Sequence, residues 1–287
     1  MNKVAIMTDS IASIPWEIAM GYNIRVIPFH IMVDGKDYLE TEVDKAGFYT
    51  RLREKEDLPT TSAPSVGEYL EVYQELSRKA ETILYISVSS AFTMAYNAAI
   101  RAKEIAREEL SKATIEVFDS QAAVGSQFFI VLEAAKAVAQ GGSLQEVTQI
   151  ASAMVAKVRD FGLLTTLHYV ERGGRITKAL ALLGSMLHLQ PILELDPSTG
   201  GRVKPLGSVR TTEQGIHRLI ELMEERSEGR NLHVVVGHGD MPAEAESLKR
   251  KVSSRCRCAE LYVIRDSLLV AIHAGPGLLR LAFYSSD

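Results

Sequence analysis

The run TILYISVSS, Thr82–Ser90, passes directly into AFTMAYNAAIRAKEIAREEL, residues 91–110. The first segment is rich in β-branched and aromatic residues and reads as a strand. The second carries apolar residues at helical spacing. Their junction is Ser89-Ser90, and the first turn of the helix is expected to hold Phe92, Thr93 and Asn97. A strand that enters a helix through polar residues places them at its carboxyl end, where open α/β sheets build their sites. The same junction recurs on either side. VAIMTDS (4–10) ends in Thr8-Asp9-Ser10 ahead of a helix over IPWEIAMGY, and TIEVFDS (114–120) ends in Asp119-Ser120 ahead of AVGSQFFIVLEAAKAVAQGG. Strands and helices alternating in this way predict a parallel sheet with helices on both faces.

Between the first two junctions lies PTTSAPS, Pro59–Ser65, directly before the helical pattern EYLEVYQELSRKA. Its prolines bias the residues before them to extended geometry. Ser62 or a neighbour is expected to be the N-cap, with Pro64 near the first helical turn. Hydroxyls beside the free N–H groups of a helix start suit a small anion, and a solvated cap satisfies the same pattern. IRVIPFHIMV (24–33) reads as one further strand, VDGKDY as a turn, DKAGFYTRLREKED as a solvated helix and LQEVTQIASAMVAKVRD as a closing helix.

A second rhythm begins near Phe161. FGLLTTL reads as a strand, YVERGGRI as a loop holding Arg172 and Arg175, and TKALALLGSML as a helix that is either buried or lines an apolar cavity. LQPILELD and RVKPLGSV form a hairpin, and TTEQGIHRLIELMEERS an amphipathic helix. LHVVVGHGD is a strand and PAEAESLKRKVSS a helix, and AELYVIRD, LLVAIHAGPG and LRLAFYS finish as strands. At 287 residues, two domains are expected, 1–160 and 161–287. The fold class is α/β: an N-terminal parallel-sheet, Rossmann-like domain and a C-terminal mixed-sheet domain carrying the apolar TKALALLGSML segment.

A net charge of −4 without a basic block argues against a nucleic-acid partner. The opening MNKVAIMTDS is too short an apolar stretch for a signal-peptide core, and no run reaches membrane-spanning length. A cytoplasmic protein is expected, with at most transient membrane contact. Cys256 and Cys258 read as reduced thiols at a strand start. The G-x-S-x-G elbow, the G-x-x-x-x-G-K-[ST] loop, an early G-x-G-x-x-G and H-E-x-x-H are all missing. His273, on an apolar strand, is either a core histidine or a site residue held by the Ala-Gly-Pro-Gly break after it. Arg175 and Arg210 fit surface ion pairs equally well, and His238 and Asp240 fit a turn.

Taken together, these segments resemble the DegV family, bacterial fatty-acid-binding proteins that work with a fatty acid kinase. The resemblance runs nearly end to end. It rests on TDS (8–10), TTSAPS (60–65), Ser89 to Asn97, DS (119–120), ERGGRI (171–176), QPIL (190–193), Val209-Arg210-Thr211, GHGD (237–240) and HAGPG (273–277). It implies two α/β domains and a long-chain fatty acid whose carboxylate is held by Thr61, Thr93 and His273, with Ser62 adjacent. It also implies that Arg175 and Arg210 engage the kinase or the acyl phosphate it forms for phospholipid synthesis. No cofactor or metal is implied. Ala63 stands where the family has Gln, and Ala91, Phe92 and Met94 replace parts of its Gly-rich segment, adding bulk near the head group. Each buried methylene contributes about 0.8 kcal/mol, so the tail supplies affinity while the hydroxyls and histidine offset carboxylate desolvation. The resemblance makes the chain a carrier whose chemistry comes from a partner. An acyl hydrolase or acyltransferase using a hydroxyl and His273 is the alternative.

Overall fold

The computed structural model describes residues 2–54, 58–110, 113–173, 189–196, 198, 200–227 and 231–286. The parallel sheet is built from β1 (Asn2–Asp9), β2 (Arg25–Ile27), β6 (Ala80–Ser87) and β7 (Thr114–Asp119) in the order β2-β1-β6-β7. Successive side chains of a strand point to opposite faces. Along β6, Ile83 and Tyr85 therefore pack against α3 (Val66–Ser77) and α4 (Ala95–Glu109). Leu84 and Ile86 pack against α1 (Trp16–Gly21), α5 (Val124–Ala139) and α6 (Leu144–Lys157). Helices cover both faces, as the strand–helix alternation predicts.

The second sheet is mixed. It joins β8 (Arg159–Leu163), β9 (Gln190–Asp196), β10 (Arg202–Val209), β11 (Asn231–His238), β12 (Cys258–Arg265) and β13 (Leu279–Ser286) in the order β10-β9-β8-β13-β11-β12. Only β11 and β12 run parallel; the other neighbours are antiparallel. One face receives α8 (Thr212–Ser227) and α9 (Pro242–Arg255). The other receives α5, whose Phe128 and Phe129 reach Tyr262 and Tyr284 while its far side touches β1 and β6. A helix between two sheets must be apolar nearly all round, and α5 is.

Three segments depart from the structure their sequence suggests. IRVIPFHIMV breaks at Pro28, which has no N–H to give a ladder. Arg25–Ile27 stays in the parallel sheet, and β3 (His30–Val33) leaves it to form an antiparallel sheet with β4 (Lys36–Leu39) and β5 (Thr60–Ser62). PTTSAPS therefore contains a strand, and the N-cap of α3 is Ser65, not Ser62. Ser65 and Glu68 form a reciprocal capping box at the spacing that motif requires. LLVAIHAGPG is a helix, α10 (Leu268–Ala274), because Ser267 caps it through Leu269 N–H. It stops at Gly275, whose φ of +91° suits a residue without Cβ.

Smaller differences follow the same logic. α4 begins at Ala95, so Phe92 and Thr93 sit in the turn ahead of it. α2 (Lys45–Glu54) buries Phe48, Tyr49 and Leu52, and His168–Gly173 of the expected loop is a short helix, α7. The expected helix TKALALLGSML lies outside the described residues, as does Arg175.

Candidate ligand-binding site

A cavity of about 180 Å³ opens between the parallel and mixed sheets. Ile11, Phe29, Val88, Phe92 and Val124 form one wall; Leu164, Leu193, Leu195, Val203, Leu269 and Leu278 form the other. The walls thus come from both halves of the chain. Against this apolar lining stand Thr61, Thr93 and His273, together with Asp160 and Arg280, which form an ion pair.

Thr61 Oγ1 and His273 Nε2 share a hydrogen bond of 2.9 Å across 212 positions. The alternation of β5 turns Thr61 inward and leaves Thr60 and Ser62 exposed. Ser62 is not among the lining residues. Thr93 lines the cavity from the turn before α4, and its Oγ1 accepts weakly from Ala95 N–H at 3.4 Å. Arg210 is exposed just after β10, with its N–H donating to Gln214 Oε1 at 3.0 Å, and does not line the cavity.

The local supports of these residues are specific. β5 pairs with β3, setting Thr61 opposite Ile31 and Ser62 opposite His30. The His30 ring lies between Asp37 at 3.0 Å and Glu68 at 2.8 Å, stapling β3 to β4 and to the start of α3. Burial opposes the imidazolium, but the two carboxylates outweigh it and raise the His30 pKa. His273 occupies the last turn of α10. A Cβ at Gly173, the last residue of α7, would lie 3.1 Å from its Nδ1, so the first glycine of ERGGRI lets α7 approach the imidazole closely.

The TDS and DS junctions are structural supports of the wall. Asp9 is fully buried; it accepts from Val88 N–H at 2.8 Å, Ile11 N–H at 3.2 Å, Tyr85 at 3.1 Å and the Gln127 amide at 3.2 Å. Burial pushes its carboxyl up to about 6 despite those donors. It thereby anchors two lining residues, Val88 and Ile11. Asp119 accepts from Ser90 through both backbone and hydroxyl.

Beneath the cavity, Arg280 bridges Asp160 (2.8 and 2.9 Å) and Asp266 (2.8 Å from Nε), with Ser126 N–H adding to Asp160 at 3.0 Å. All three side chains are almost completely buried. This triad was not singled out from the sequence. Its signal is a charge inside an apolar strand, as in LLRLAFY (278–284). No group of three His, Cys, Asp or Glu side chains among the described residues is placed to hold a metal ion. No described helix is long and apolar enough to cross a membrane.

The two sheets thus close on an apolar cavity that carries the Thr61–His273 hydroxyl–imidazole pair. The chain belongs to the DegV family, described as uncharacterised proteins, whose model matches residues 3–286. It is 29% identical over 280 residues to Protein DegV of Bacillus subtilis, covering 96% of this chain and 97% of that one. Among solved structures it resembles the fatty-acid-binding DegV family protein of Thermus thermophilus, with a TM-score of 0.90, 26% identity and coverage of 99% and 100%. It likewise resembles DegV of Bacillus subtilis, a fatty acid binding protein, with a TM-score of 0.87, 28% identity and full coverage of both chains.

Proposed function

We propose that this protein holds a long-chain fatty acid with its tail in the cavity and its carboxylate against Thr61, Thr93 and His273. In this reading it presents the carboxylate to a separate ATP-dependent kinase. The observation that carries the reading is the Thr61–His273 hydrogen bond at an otherwise apolar cavity. A carboxylate arriving there exchanges that contact for donors from both groups, while the walls take the methylenes. Ser62, exposed on the other face of β5 and not among the cavity's lining residues, stands beside this set in sequence. The reading divides the chain near residue 160, with the ligand between the two parts. The fatty-acid-binding relatives support the tail assignment; the kinase step rests on the likeness of the ERGGRI and VRT segments to the family's motifs.

Binding and presentation separate in one experiment. Thr61→Val keeps the shape and removes a hydroxyl, leaving a carboxylate oxygen short of a partner at a cost of about 1–3 kcal/mol. It is expected to weaken fatty-acid binding, whereas Arg210→Ala and Arg175→Ala are expected to retain the lipid and slow ATP-dependent acyl phosphate formation by the cognate kinase. Lipid loss in the arginine variants, with normal phosphorylation of what remains, would reverse the assignment. The same Thr61–His273 pair also suits acyl transfer. Turnover of acyl esters that is abolished in His273→Ala would favour that second reading over the carrier.

A further inference from the structure

Glu40 lies far from the cavity's hydroxyls in sequence and is not one of its lining residues, yet it is a buried carboxylate, 5% exposed. It follows β4, and its Oε1 accepts from Leu268 N–H at 2.7 Å, across 228 positions. Leu268 is the first residue of α10, whose last turn carries His273. Beside it, Ser267 N–H donates to Ser13 Oγ at 2.9 Å. The start of α10 is therefore held by two side chains from the first half of the chain, while its end meets Thr61 from that same half. An α-helix rises about 1.5 Å per residue, so the five steps from Leu268 to His273 span roughly 7.5 Å, too short to bend. A tilt at one end is carried to the other.

Burying a carboxylate is unfavourable unless it is hydrogen-bonded. Burial pushes the Glu40 carboxyl up, Leu268 N–H acts against that, and Oε2 is buried without a hydrogen-bond partner. A neutral residue would fill this space at lower cost if only packing mattered. We infer that Glu40 is a positioning residue for the head-group site: by fixing the start of α10 it sets where the His273 imidazole meets Thr61. The inference rests on the reading of Thr61 and His273 as the carboxylate site.

The test uses the full chain, with hexadecanoate as probe and the His273 imidazole resonances, assigned with His273→Ala, as a second readout that needs no ligand. Glu40→Ala is expected to shift the His273 resonances and weaken hexadecanoate binding about tenfold, as for a lost hydrogen bond to a charged group. Glu40→Gln, which keeps an Oε1 acceptor, is expected to leave both within about twofold. In a His273→Ala background, Glu40→Ala is expected to change affinity by less than about twofold, because residues that act through one another are not additive. Unmoved His273 resonances in Glu40→Ala, or an equal affinity loss with and without His273, would overturn the inference. Should Glu40→Ala not fold, Ser13→Ala removes the neighbouring acceptor of Ser267 N–H and must shift the same resonances; no shift would count against the inference. A wild-type protein that does not bind hexadecanoate would defeat the fatty-acid reading, while the resonances would still decide the positioning role.

Discussion

Arg280→Met is expected to lower the unfolding free energy by about 3–5 kcal/mol, the usual cost of breaking a buried ion pair by removing one partner. Methionine fills most of the space, so the loss reports charge and not a cavity. Arg280 faces Asp160 on β8 and Asp266 ahead of α10, all within the mixed sheet's cover. Without it, two carboxylates remain out of water, with Ser126 N–H the main donor left to Asp160. Burial already pushes the Asp160 carboxyl up, and Arg280 opposes that rise. In the variant Asp160 should take a proton more readily in the folded state than in the unfolded one. A folded-state carboxyl raised above its unfolded value loses stability as pH rises, so the deficit is expected to shrink as pH falls. Urea unfolding at two pH values measures both effects. A loss below about 1 kcal/mol would mean that water reaches these groups and that the triad does not support the cavity floor.

Gly162→Phe is expected to weaken long-chain binding roughly a hundredfold while leaving the fold intact. Gly162 sits on β8 between Leu193 and Arg280 and lines the cavity. A Cβ there would meet Leu278 at 3.5 Å and Arg280 at 3.8 Å, ordinary contacts, so the added ring has nowhere to go but the cavity. It would occupy the place of about four methylenes, worth about 3 kcal/mol or roughly a hundredfold in affinity. Titration with hexadecanoate, alongside a melting curve, checks it. Unchanged affinity in a folded variant would place the acyl tail elsewhere.

The fold was legible where local signals agreed. Polar residues closing a β-rich run ahead of a helical pattern placed β1, β6 and β7 in one parallel sheet, and PSTGG placed the β9–β10 hairpin. It was less legible where a short apolar run served two periods. LLVAIHAGPG is too brief for periodicity to tell strand from helix, and Ser267 decides for the helix only because its hydroxyl turns back to Leu269 N–H. IRVIPFHIMV reads as one strand across Pro28, and that its two halves join different sheets depends on the pairing of β3 with β5.

At the site, Thr61, Thr93 and His273 share a cavity, and Thr61 and His273 touch. Ser62 stands beside Thr61 in sequence and faces away, because a strand alternates where a cap would gather both hydroxyls. Glu40, Asp160 and Arg280 could not be paired from the chain alone, since their partners lie 228, 120 and 14 positions away. What marks them is charge within apolar surroundings, a signal of burial that does not name the partner.

The central claim, that the cavity holds an intact fatty acid, is tested most directly by native mass spectrometry of the purified protein, followed by denaturing extraction. A mass excess equal to a long-chain fatty acid is expected, about one per chain, lost in Gly162→Phe and released unchanged on denaturation. A protein that stays empty after incubation with hexadecanoate, or whose bound mass is a nucleotide, would contradict it.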